Sequence, residues 1–439
     1  MMHICFLVSS WLNPYQVNIY KNFNDLFITM KKTFEGDIAD EPEDKKELSA
    51  EEKELLKRLE KGEVEEVDAK KGGKSAINND PKYEAFTQQG YEVNPAQGLI
   101  YKDYDMISKQ RRVIFHLVKS MGSNLLKGKS IMNVSLPVTI FDKESLLQRT
   151  ASDFLYAPYF VEKIYAAEDP IDKMKWTVAF YVAGLHLGIC QKKPFNPVWG
   201  ETFQGKIDNI NVYCEQTSHH PPISNIYMDG EHFTIDTKHQ FSLSTYPNSA
   251  TFKCIGHRRI VLKDANKTTY MIEYPWAECK GFMFGNRVVN YKGNVTITDT
   301  TNKIYVQLRM QAGEKSLAEG LFRKNDARAD FFKGLITKNP ELLKDMSRKA
   351  FYSKDMISYI EGNWFDYVMI DGDNYWEIDK VKPGKLVSVP DPLPSDSTFR
   401  PDLRAFIEGN DAEAQKQKEI LEEIQRNDRK LREQATKKK

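Results

Sequence analysis

The chain has 439 residues, of which 41% are hydrophobic, 12% aromatic and 28% charged. That supply of apolar side chains suffices for a large core and excludes wholesale disorder. Lys and Arg number 63 against 62 Asp and Glu, a net charge of +1, which excludes a broad nucleic-acid surface because such a surface needs surplus cations to displace counterions.

The opening run MMHICFLVSSWL is apolar but brief. It lacks a basic leader and a small-residue cleavage site, so no secretory signal is expected. No stretch approaches the eighteen or so uncharged apolar residues that span a bilayer. Cys5, Cys190, Cys214, Cys254 and Cys279 are odd in number, scattered and without a CxxC pair, which argues for a reducing cytosol and against a disulfide framework.

Residues 1–100 turn acidic and Lys-rich after that opening. Leu48, Leu55, Leu56 and Leu59 give the run a faint helical face within a charge density typical of a solvated helix or linker. This leader is expected to be largely disordered or helical, and to be a possible arm for a protein partner. The folded domain is placed at residues 101–439.

Between about 105 and 190 the pattern is helical, and within about 105–135 Ile114, Leu117, Val118, Met121 and Leu125 recur at spacings of three and four. They predict an amphipathic helix with basic flanks, serving as core packing, as a lid or as a membrane-surface helix. Residues 144–165 also read as helix. The string GSNLLKGKS at 122–130 has one residue too many between its glycines for a P-loop and follows a helix where a strand is needed.

From about 190 to 390 the period drops to two. Segments such as NVTITDT, HFTIDTKHQFSLST and TTYMIEYPWAEC alternate apolar with polar residues, and Asp229-Gly230, Pro247-Asn248 and Asp371-Gly372 punctuate them. Sequential strands without intervening helices predict an antiparallel meander. So many strands expose long edges unless the sheet closes or nearly closes, and a large barrel can hold an apolar ligand. Residues 411–434 return to helix, charged nearly all round.

Three strings carry candidate chemistry. The first is EQTSHHPPIS at 215–224. Two prolines after His219 and His220 keep the pair out of a helix interior and hold it at a strand end or rigid loop. Such imidazoles could hold an anion or serve structure alone. A metal centre would need further ligands, and His232, His239 and Cys214 lack the spacing. Ser218 sits in no triad or nucleophile elbow.

The second string, KPFNPVWGET at 193–202, is a stiff turn presenting Lys193, a point charge for phosphate, and Asn196, a donor or acceptor for oxygen groups. The third places Lys418, Glu422 and Arg426 in one stripe of the last helix. Here an ordinary ladder of ion pairs and a clamp for a phosphorylated polyol both fit.

Taken in order, these strings resemble the oxysterol-binding protein family of lipid-transfer proteins. Ser135-Leu-Pro-Val, SLLQR at 145–149, LPSDSTFRPDL at 393–403 and KEILEEIQR at 418–426 extend the likeness over roughly residues 105–434. The resemblance implies an α+β, mainly β fold: a large, nearly closed antiparallel β-barrel with a hydrophobic tunnel, an N-terminal helical lid, flanking helices and a long C-terminal helix. It implies exchange of a lipid, sterol or phosphatidylserine, for phosphatidylinositol 4-phosphate between membranes, without bond chemistry, cofactor or metal.

Carried over by position, His219, His220 and Arg426 would hold the 4-phosphate, while Lys193, Asn196, Lys418 and Glu422 would contact the headgroup. Backbone groups of Ile131, Met132, Asn133, Val134, Ser135 and Leu136 would join them, and the helix bearing Ile114 to Leu125 would be the lid. Membrane surfaces would be transient partners, and the location cytoplasmic, at endomembrane contact sites. A lipid sensor or scaffold without net transfer, and more remotely a metal-dependent lipid hydrolase, are the alternatives. Neither a pleckstrin-type domain nor a paired-phenylalanine tethering motif is legible in residues 1–100.

Overall fold

A computed structural model describes residues 50–60, 80–94, 97–121, 134–219, 221–311, 330–344 and 350–437. Among these, seventeen strands form one antiparallel sheet and two more form a small parallel pair. The expected alternation is visible in the burial along the strand Ile210–His219, where Ile210, Val212 and Cys214 face inward and their neighbours outward. This is the period of a sheet with one face on the core.

The meander is regular over its first part. Thr202–Ile207, Ile210–His219, Pro222–Asp229, Phe233–Thr245 and Ser249–Leu262 each pair with the next. Then it forks. The free side of Ser249–Leu262 is shared by two short strands, Thr269–Ile272 near its end and Trp276–Lys280 near its start. Pro275 separates them, and proline cannot donate to a ladder. TTYMIEYPWAEC is therefore two strands that leave in different directions.

One branch runs from Thr269–Ile272 to Asn294–Asp299 and on, strand by strand, to Asp373–Glu377. The hairpin before this last strand turns at Asp371 and Gly372 with φ of 55° and 92°, the left-handed pair of a tight primed turn. The other branch runs from Trp276–Lys280 through Arg287–Lys292 to Gly98–Tyr101 and Tyr91–Asn94. Leu386–Ser388 returns to cover the edge of Thr202–Ile207. Curled and covered in this way, the sheet is a nearly closed barrel.

Two sequence expectations need correction. The domain boundary near residue 100 cuts through a hairpin: Tyr91–Asn94 and Gly98–Tyr101 lie inside the sheet, with Leu99 and Ile100 almost wholly buried. Further upstream, Ala50–Glu60 is a helix within the acidic run. The second correction is that residues 144–165 are not one helix. Phe141–Ser145 is a strand, Ser145 caps a short helix Leu146–Ala151 by accepting from Gln148 N, and a second helix starts at Ala157 with Pro158 in its first turn. Proline fits a first turn and not a helix interior, so the break falls there.

A third helix, Pro170–Leu185, lies within the helical stretch expected between about 105 and 190. Met174 and every residue from Thr177 to Leu185 are buried, so it carries no polar stripe and no helical period to read. Asp169 caps it, accepting from Ile171 N and Asp172 N. It crosses the turn at 152–154 closely: a Cβ on Gly184 would lie 2.6 Å from the Asp153 carbonyl oxygen. The core is continuous from these helices into the sheet's inner face.

The expected lid helix spans Tyr104–Met121. Its first half is fastened, with Met106 and Ile107 buried, Gln110 bonded to Arg287 Nη1 and to the Gln191 carbonyl, and Arg111 Nε donating to the Phe282 carbonyl. Ile114 and Leu117 are half-buried. The side chains of Val118 and Met121, and Leu125 with the P-loop-like string, lie outside the described residues. No described helix is long and apolar enough to cross a membrane.

Candidate functional site

The site is assembled around one aromatic ring. Phe141–Ser145 and Lys193–Phe195 pair in parallel, with Phe141 opposite Lys193. That register stands the Lys193 ammonium 4.6 Å from the Phe141 ring centroid, a cation–π contact. Phe141 in turn packs edge-on against Phe195, centroids 4.9 Å apart.

The helix Asp411–Lys437 brings the second cation. Its docking is fixed by fully buried Ala414 and by Gln415 Oε1, which accepts from Val138 N at 3.0 Å. One turn further on, Lys418 is 5% exposed. Its ammonium lies 5.7 Å from the same Phe141 ring, 2.9 Å from Ser135 Oγ and 2.6 Å from Glu422 Oε1. The Lys418–Glu422 pair is the helical ladder the spacing allows; the bond to Ser135 is the part that reaches out of the helix.

Seven residues beyond Lys418, about 10 Å along the axis, Gln425 Nε2 lies 3.4 Å from His219 Nδ1. His219 ends its strand opposite Pro222, where the prolines place it. Arg426, next in the helix, is exposed. Further along, the Arg432 guanidinium sits over Trp199 of the proline-rich turn, 3.0 Å from the ring centroid. The last helix thus lies across both hallmark strings.

The electrostatics of the two rim lysines are unequal. Lys418 has a carboxylate partner. Lys193 donates to neutral Asn196 Oδ1 at 2.7 Å and to the Pro194 carbonyl at 3.4 Å. Close packing withholds water from it, and Lys418 and Arg400 repel its charge; against the pull of Glu422, its pKa is pushed down to about 7. An anion placed here would restore the proton.

Arg400 was not anticipated, although it belongs to the string LPSDSTFRPDL. It is buried and saturated: Nη1 donates to Glu201 Oε2 at 2.8 Å and to the Asn196 carbonyl at 2.6 Å, while Nε and Nη2 grip Asp402. Burial opposes its charge, yet Glu201 and Asp402 raise its pKa above the ordinary value. Asp396 adds a bond from Gln204 N, and Thr202 N donates to the Ser395 carbonyl. These bonds bolt the string at 393–403 to the turn that carries Lys193 and Asn196. Phe141 was missed as well, because an isolated phenylalanine carries no signal until its strand partner is known.

Of the expected headgroup residues, the structure gathers Lys193, Asn196, Lys418 and Glu422 near Phe141; Arg426 lies about two turns beyond Lys418 on the last helix, and His219, at its strand end, contacts that helix there. Ser135 joins through its hydroxyl, where backbone groups were expected, and Leu136 packs against the core. Val134 is half-buried. His220, Ile131, Met132 and Asn133 lie outside the described residues. Among the described residues, no three His, Cys, Asp or Glu side chains cluster as a metal site.

Comparison with known proteins decides the family. Residues 119–339 and 359–439 match the Oxysterol-binding protein family. The chain belongs to the oxysterol-binding protein family. Oxysterol-binding protein 9 of Dictyostelium discoideum is 31% identical over 331 residues, covering 74% of this chain and 76% of that protein. Oxysterol-binding protein-related protein 8 of Mus musculus is 24% identical over 369 residues, and there the match spans only 38% of the relative's length.

Two solved structures share the fold of this oxysterol-binding protein. The Osh1 ORD domain in complex with cholesterol superposes with a TM-score of 0.58 at 22% identity, covering 89% of this chain and 90% of that one. The Osh3 ORD of Saccharomyces cerevisiae in complex with PI(4)P gives 0.56 at 21% identity, covering 73% and 84%.

Proposed function

We propose that this protein is a lipid-transfer protein that extracts phosphatidylinositol 4-phosphate and exchanges it for a second lipid, a sterol or phosphatidylserine, between membranes. The observation that carries the reading is the convergence of Lys193 and Lys418 on Phe141, with His219 held against the same helix. The neighbours solved with cholesterol and with PI(4)P support it.

Physically, a lipid leaving a bilayer must keep its tails dry. Burying about 400 Å² of apolar surface in the barrel's interior stabilises the extracted lipid by roughly 10 kcal/mol at about 25 cal/mol/Å². The phosphorylated headgroup cannot follow unpaired, because burying its charge alone costs more than the tails gain. It stays at the rim. Lys193, Lys418, Arg426 and the two histidines hold the phosphates, and Asn196 and Glu422 take the inositol hydroxyls. The helix Tyr104–Met121 with the segment after it acts as the lid. Two lipids that need one interior exclude each other, which makes the process exchange. No bond is made or broken. The protein works in the cytoplasm, docking transiently on endomembranes at contact sites.

The test is transfer between donor and acceptor liposomes. The His219→Ala/His220→Ala double variant should lose phosphoinositide extraction and keep counter-lipid binding. Unchanged extraction overturns the assignment of the pair. Binding by the unaltered protein without movement between vesicles would make it a sensor.

A further inference from the structure

Deep inside the barrel lies a second group of polar side chains that the rim site does not use. Arg258, on the inner face of Ser249–Leu262 and opposite Thr237, is 4% exposed. Its guanidinium stacks 4.1 Å from the Phe154 ring centroid and lies 5.8 Å and 6.0 Å from the rings of Tyr181 and Tyr274. Its Nε is buried without a hydrogen-bond partner, as are the Tyr181 and Tyr274 hydroxyls. Among the described residues no carboxylate lies within ion-pairing distance of it. The contrast with Arg400, which is equally buried and gripped by two carboxylates, shows what a guanidinium placed for structure looks like in this fold.

The surroundings are aromatic and titratable. His239 packs between Phe241 and Tyr274, and burial with the nearby Arg258 and His257 keeps its imidazole neutral. Burial raises the Asp153 carboxyl to about 6, against the pull of Arg258 and Arg149. Asp153, Cys254 and Tyr274 all respond to burial, yet each keeps part of its surface uncovered by other atoms. A stranded guanidinium beside two unpaired phenols offers hydrogen-bond donors from three directions and no carboxylate in contact, which is the complement of an oxyanion.

We propose that Arg258, Tyr181 and Tyr274 form an interior receptor for an oxyanion, the carboxylate or phosphate of an acidic amphiphile that enters polar end first. This rests on the reading of the barrel as a lipid container and names its second cargo as an acidic lipid.

The experiment titrates the full chain with cis-parinaric acid and with its uncharged methyl ester, following probe fluorescence. The unaltered protein should prefer the acid by at least tenfold. Arg258→Gln should erase that preference by weakening the acid alone. Asp153→Asn should strengthen acid binding several-fold by removing a competing negative charge, and it decides the matter if Arg258→Gln fails to fold. Displacement of the bound acid by oleate points to a carboxylate cargo, and displacement by lysophosphatidic acid to a phosphate. Equal binding of acid and ester, or a preference that survives Arg258→Gln, overturns the receptor and leaves the container standing. Binding of neither probe overturns the receptor, while transfer between liposomes still tests the container.

Discussion

Arg400 and Lys193 touch the same residue and have opposite fates. Arg400 donates to the Asn196 carbonyl and is locked between Glu201 and Asp402; Lys193 donates to the Asn196 side chain and faces other cations. A cation bonded through all three of its nitrogens holds the structure together. A cation with neutral partners and a depressed pKa is available to an anion. Positive charge alone does not separate the two; the partner inventory does.

The largest effect that would sharpen this contrast is on stability. Arg400→Met leaves Glu201 and Asp402 buried without a counter-charge, which should cost about 3–5 kcal/mol in denaturant unfolding and loosen the turn at 193–202. A loss below about 1 kcal/mol would mean that the network behaves like a surface pair.

Lys193→Met keeps the apolar stem on Phe141 and removes only the charge. Binding of phosphatidylinositol 4-phosphate should weaken about ten- to a hundredfold, the worth of a charged hydrogen bond of about 1.5–3 kcal/mol, while the unfolding midpoint holds or rises. If stability falls and lipid binding does not, the roles of the two cations have been assigned the wrong way round.

The smallest effect concerns pH. Bound phosphate favours the charged form of Lys193, so binding takes up a proton when the free side chain has lost its own. Above pH 7 affinity should fall several-fold per unit, and Lys193→Met should flatten the profile. The lipid-free fold should behave in the opposite sense. Unfolded lysine keeps its proton to about 10.4, so between pH 7 and 10 the unfolded chain binds more protons and stability should rise with pH. Calorimetry across that range at fixed salt measures both trends.

The strings around His219 and Lys193 were legible because proline fixes geometry locally: a double proline must follow a strand end whatever surrounds it. The strands were legible from their period, and the last helix from its charge pattern, ending within a few residues of the expected limit. The stretch holding Pro170–Leu185 read as helical, but the bounds of that helix were not legible, since burial on every side erases the amphipathic signal. The hairpin Tyr91–Tyr101 was hidden behind an acidic leader whose composition dominates the average.

The sequence by itself determined the family, the strand-rich middle and the candidate cations at the rim, because motifs and periodicity act over a few residues. Only the tertiary structure decided which cations meet. Ser135, Lys193 and Lys418 come together through a parallel strand pair and one docked helix that meets His219 two turns on, and Arg258 is stranded among aromatic rings by the register of two long strands. Whether a charge is paired depends on neighbours hundreds of residues away, and no local pattern encodes that.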